Sequence, residues 1–174
     1  MPGLRIGYLR APPPLQERVA TMKQAIDISS SALNQRALHV YLSGNHFPAH
    51  LEKIRQSYKI RRDAMLAAAQ RYFPPSAQWR EPDGGLYLWV TMAAGGPKAT
   101  ELYVRAVEYG VAFAIGSVFF SHNPSPYTIR LNFAFQPPGQ IEEGMRRLGK
   151  AWRELQIESR RPEKPRPQPA MPIL

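Results

Sequence analysis

Proline divides this chain more firmly than any other residue type. Eighteen of the 174 residues are proline, and most stand in clusters. Proline lacks an N–H and its ring clashes with the preceding helical turn, so neither a helix interior nor an inner strand runs through it. Pro12-Pro13-Pro14 closes a short first segment, Pro74-Pro75 ends the longest helical pattern, and Pro137-Pro138 opens the last one. The stretch after Ser159, "RRPEKPRPQPAMPIL", is proline-rich and basic and is expected to be disordered.

Between these breaks the apolar residues set the elements. Gly3 to Leu9 alternates and reads as a short strand. Leu15, Val19, Met22 and Ile26 mark a helix from Leu15 to Ile28. The serine run after it interrupts the pattern, and a second helix restarts around Leu33 and closes at Gly44-Asn45. From about Pro48 to Tyr72, Leu51, Ile54, Tyr58, Met65, Leu66 and Ala69 form one stripe, with Lys53, Arg55, Lys59, Arg61 and Arg62 largely outside it.

"AQWREPDGGLYLWVTM" reads as strand, Asp83-Gly84-Gly85 turn, strand; Leu86, Leu88 and Val90 face one way, Tyr87 and Trp89 the other. A helix from Thr100 to Tyr109, an apolar strand in "VAFAIGSVFF", a strand in "YTIRLNFAF" and a final helix with Ile141, Met145, Leu148, Trp152 and Leu155 inside complete the chain. The order predicts an α/β (α+β) fold, a small sheet covered by helices.

Composition excludes several functions. No cysteine is present, so disulfides, thiolate metal sites and a cysteine nucleophile are ruled out. His39, His46, His50 and His122 form no ligand-spaced set, and no metal site is expected. No run is long and apolar enough to span a membrane, and a cytoplasmic protein is expected. The formal charge of +10 raises a nucleic-acid-binding reading. That charge is spread over helix faces and the tail, so a solvated surface accounts for it better, and nucleic acid is not the expected partner.

Two arginines lie in strand-like apolar settings, Arg5 in "GLRIGY" and Arg130 in "TIRLNFA". Such an arginine either meets an anion, which its planar fork suits, or points outward from an edge strand. Tyr87 and Phe119 are candidates to line a pocket, with core packing the favoured role for each.

"PGLRIGYL", "SSSALNQ", "PDGGLYLWV", "GVAFAIGSVFF" and "IRLNFAF", in that order, resemble the C-terminal part of fold type I, class I/II pyridoxal-phosphate-dependent aminotransferases. The nearest branch holds 2-aminoadipate-type enzymes and the aminotransferase-like domains of MocR/GntR-type transcription regulators. The resemblance implies that Arg5 contacts the phosphate of pyridoxal 5'-phosphate and that Arg130 grips the α-carboxylate of an amino acid or 2-oxo acid substrate. It implies residues 1–45 as the last segment of a large cofactor-binding domain with inter-domain helices, 46–158 as the small C-terminal domain, and 159–174 as the tail.

In that family the lysine that forms the Schiff base precedes the P-G-L-R segment and would fall before Met1. None of Lys23, Lys53, Lys59, Lys98, Lys150 and Lys164 takes its place. The expectation is therefore a C-terminal aminotransferase fragment, inactive alone, forming a homodimer or associating with a large-domain chain. The alternative is the effector domain of a MocR/GntR-type regulator.

Overall fold

A computed structural model describes residues 2–27 and 29–159. The expected disordered tail and Ile28 lie outside these residues. The chain forms two compact units, Met1–Arg55 and Gln56–Leu174.

In the first unit a 3-10 turn, Pro2–Leu4, leads into an irregular stretch. Helix α1 is Pro13–Ile26, with the prolines in its first turn, where a missing N–H costs nothing. Helix α2 is Ala32–Ser43. The Ser31 side chain accepts from the Asn34 N–H at 3.3 Å, and the Gly44 N–H donates to the Val40 carbonyl at 3.1 Å, closing both ends. Helix α3, Phe47–Tyr72, begins in this unit and continues in the second. The strand expected over Gly3–Leu9 is not formed. Alternation makes a strand only where a neighbour completes its hydrogen bonds, and here Arg5 takes a left-handed φ of 53° that breaks extension.

The second unit holds a four-stranded antiparallel sheet in the order β1-β2-β4-β3, with β1 Gln78–Trp79, β2 Tyr87–Thr91, β3 Ala114–Ile115 and β4 Thr128–Asn132. Gly85, with φ 82°, carries the turn expected before β2. Helix α4, Ala99–Glu108, starts where the Lys98 N–H donates to the Glu101 carboxylate at 2.8 Å. Helix α5, Pro138–Ser159, follows β4.

One face of the sheet is core. Leu88 and Val90 of β2 and Ile129 and Leu131 of β4 pack with Leu102 and Ala106 of α4, Met145, Leu148 and Trp152 of α5, and Met65 and Ala69 of α3. The expected α5 stripe is buried, with Leu155 at its margin. Outside the core, Arg105 of α4 bonds Glu154 and Glu158 of α5 at 3.4 and 3.0 Å. The other face of the sheet, which carries Tyr87, Trp89 and Arg130, turns away from this core.

Candidate functional site

β4 is bonded on both sides. Arg130 stands opposite Trp89 of β2 and Ala114 of β3. It is therefore not on an edge strand, and the outward-pointing edge arginine allowed by the sequence is not what forms. Because cross-strand partners share a face, Arg130 and Trp89 project on the non-core side; Tyr87, two residues before Trp89, projects there too.

The guanidinium of Arg130 is held by rings. Its Cζ lies 4.0 Å from the centroid of Tyr87 and 3.7 Å from that of Phe119, which ends the 3-10 turn Gly116–Phe119. Trp89 extends the layer, with ring centroids 6.2 Å from Phe119 and 5.9 Å from Phe120. Core packing, expected for Tyr87 and Phe119, is not their role: they are 40% and 46% exposed. Strand alternation already placed Tyr87 opposite the Leu88–Val90 face. An arginine within the apolar strand pattern "TIRLNFA" was the sequence signal that a second face carries polar groups.

Among the described residues no carboxylate pairs with Arg130. Among the described residues its Nε is the one buried side-chain nitrogen or oxygen without a hydrogen-bond partner. No hydrogen bond or ion pair engages its Nη atoms either, which leaves that end of the fork open. A cavity of ≈ 660 Å³ adjoins it, lined in part by Arg130, Tyr87, Asn132, Phe135, Gln140 and Arg147. The second arginine there is already occupied. Arg147 Nε donates to Glu143 at 2.7 Å and its Nη1 to the Tyr109 carbonyl at 3.2 Å. Arg146 and Arg147 together pull the Glu143 carboxyl down to about 2, chiefly through their hydrogen bonds. Asn132 is likewise engaged, its Oδ1 accepting from the Ala134 and Phe135 N–H groups at 2.8 and 3.2 Å. Of the two described arginines that line this cavity, Arg130 is thus the one without an ion pair.

Arg5 belongs to the other unit. Its backbone leaves the Pro2–Leu4 turn in the left-handed region, and the Leu4 carbonyl accepts from Asn34 Nδ2 at 3.2 Å. The Arg5 side chain is exposed and has no hydrogen bond or ion pair among the described residues. The described lysines lie elsewhere than the Arg130 cavity. Lys23 of α1 pairs with Asp27, Lys53 and Lys59 lie on α3, Lys98 precedes α4, and Lys150 sits 4.8 Å from the Tyr109 ring. Among the described residues no three His, Asp or Glu are grouped to hold a metal ion, and no helix is long and apolar enough to cross a membrane.

Comparison with known proteins shows the family. The profile of the family described as aminotransferase class I and II matches residues 1–148, and the chain belongs to that family. It is 36% identical over 154 residues to aromatic-amino-acid aminotransferase 1 of Thermococcus litoralis, covering 88% of this chain and 36% of that protein. An uncharacterised HTH-type transcriptional regulator of Bacillus subtilis is 32% identical over 154 residues, 88% of this chain and 31% of the regulator. Among solved structures, the α-aminoadipate aminotransferase LysN of Thermus thermophilus, complexed with N-(5'-phosphopyridoxyl)-L-leucine, matches with a TM-score of 0.80 at 34% identity, over 90% of this chain and 40% of that one. The fold is thus that of part of a fold type I aminotransferase, and the chain spans about a third of the length of the curated relatives it matches.

Proposed function

We propose that these 174 residues supply the carboxylate-binding part of a pyridoxal-phosphate-dependent aminotransferase, with Arg130 holding the α-carboxylate of the amino acid and 2-oxo acid. The observation that carries this is the Arg130 guanidinium itself: unpaired, ring-flanked, on a strand bonded at both edges, beside a cavity. A carboxylate presents two oxygens at the spacing of the guanidinium fork, so binding also fixes the orientation of the Cα substituents. The inner strand limits how far Arg130 can drift, which a surface lysine would not achieve.

For the cofactor, the fit rests on Arg5. Its exposed, unpaired guanidinium suits a phosphate dianion, and Arg5 is the residue that would hold the 5'-phosphate. When bound, pyridoxal phosphate supplies the electron sink for loss of the Cα proton. None of the described lysines lines the Arg130 cavity, so this polypeptide expressed by itself is expected to be inactive. The reading places residues 1–45 with the large cofactor-binding domain and 46–158 as the small domain. It also makes a homodimer, or a complex with a large-domain chain, the working form, in a cytoplasmic setting.

A second reading has its own support. The Bacillus subtilis relative is a transcription regulator, so the same carboxylate site could sense an amino acid rather than turn it over.

The test is ligand binding and labelling on the 174-residue chain. Arg130→Gln is expected to abolish binding of a 2-oxo acid followed by calorimetry while leaving the circular dichroism spectrum intact; unchanged binding refutes the assignment. Pyridoxal phosphate followed by borohydride should leave no single lysine specifically labelled. A stoichiometric label on one lysine, with turnover, would refute inactivity of the isolated chain.

A further inference from the structure

We propose that Tyr87 and Phe119 are positioning residues for Arg130: they hold its guanidinium from both faces and present the Nη end of the fork to a carboxylate. This rests on the reading of Arg130 as the carboxylate holder and adds how that arginine is aimed.

The geometry points one way. Arg130 Cζ lies over both rings, 4.0 and 3.7 Å from their centroids, which fits one ring on each face of the planar guanidinium. Attraction between a cation and a ring acts through the ring face. It leaves the in-plane N–H groups free, and a carboxylate binds in that plane. Rings and ligand therefore do not compete. Of the in-plane groups, Nε is sealed from solvent and has no partner, whereas the Nη atoms are open and unengaged. The ligand accordingly meets the fork end-on.

The two rings come from separate elements. Tyr87 is brought by β2, two residues from the Trp89 that pairs with Arg130, and Phe119 by the 3-10 turn after β3. Trp89 packs edge-on to Phe119, with planes 73° apart. A long side chain left free would sample many rotamers. Held between rings it keeps one, so less ordering remains to be done when the ligand arrives. Phenol and phenyl serve this purpose alike, since no hydrogen bond of the Tyr87 hydroxyl is involved.

The experiment uses the full chain and a non-reacting probe, 3-phenylpropanoate, with its uncharged amide as control. The preference for acid over amide, measured by chemical-shift titration, reports carboxylate recognition. The Arg130 side-chain resonances report the clamp, because nuclei between two ring faces are displaced upfield.

Arg130→Gln should remove the acid preference. Tyr87→Leu and Phe119→Leu should each lower it roughly threefold to tenfold, and each should move the Arg130 resonances toward their free values. Tyr87→Phe and Phe119→Tyr should restore both. If Arg130→Gln keeps the preference, or the unsubstituted chain shows none, the carboxylate reading itself fails. If Arg130→Gln loses it while both leucine variants keep preference and resonances unchanged, the positioning role alone is overturned. Undisplaced Arg130 resonances in the unsubstituted chain overturn it too, without any variant having to fold.

Discussion

Two glycines five residues apart on α5 should respond to alanine with opposite signs. Both are helix-interior positions, where replacing glycine by alanine contributes about 0.5–1 kcal/mol from backbone entropy alone. At Gly144 a built Cβ meets nothing within 4 Å, so that gain should appear in full. At Gly149 the Cβ would sit 2.3 Å from the carbonyl oxygen and 2.9 Å from the carbonyl carbon of Tyr72, the last residue of α3.

That neighbour is backbone and cannot rotate away, so α5 must shift by several tenths of an ångström. Such overpacking costs about 1–3 kcal/mol. The same carbonyl accepts from Arg153 Nη1 at 2.6 Å, and weakening that charge-assisted bond adds up to about 1.5 kcal/mol. Net of the helix gain, Gly149→Ala should destabilise by up to about 4 kcal/mol, about 2 kcal/mol at the middle of the range. Gly144→Ala should stabilise by up to about 1 kcal/mol. For a chain of this size each kcal/mol moves Tm by about 2–4 °C. Thermal and urea unfolding of both variants, followed by circular dichroism, measures the difference. A Gly149→Ala protein as stable as Gly144→Ala would refute the close approach of α5 to the end of α3.

Acid should act through Glu143. Its carboxyl lies below the ordinary 4.5, at about 2 in the folded chain, so its ion pairs add stability above the unfolded pKa, and that stability is lost as pH falls through 4.5 toward 2. The urea midpoints of Glu143→Gln and the unsubstituted chain should therefore converge between about pH 5 and about pH 2.5; a gap that stays constant over that range would count against the pairing. Self-association should be visible as well, because no residue of α1 or α2 is buried, with Ile26 at 80% and Leu33 at 77% exposed. Light scattering across a dilution series should show a concentration-dependent mass, and a monomer at every concentration would argue against a partner for these helices.

The legible part of this protein was local. A helix buries a stripe with period 3.6 whatever it packs against, so α3 and α5 and the buried face of α5 followed from spacing, with prolines marking the end of α3 and the start of α5. Period two likewise separated Leu88 and Val90 from Tyr87 and Trp89 before any partner strand was known. The same rule misled at Gly3–Leu9, since alternation there has no neighbouring strand to hydrogen-bond and Arg5 turns into the left-handed region.

What tertiary structure alone decided is who stands beside whom. The order β1-β2-β4-β3 put the Arg130 strand inside the sheet rather than on its edge, and laid Tyr87 and Phe119, thirty-two residues apart, on one guanidinium. It also made Gly149 a contact and left Gly144 in open space. The reason is physical: periodicity is a property of a single element, whereas a site and a close approach are properties of pairs distant in the chain. In sequence Arg130 was an arginine that either met an anion or pointed outward; folded, its Cζ lies within 4.0 Å of two ring centroids and its Nε has no partner among the described residues.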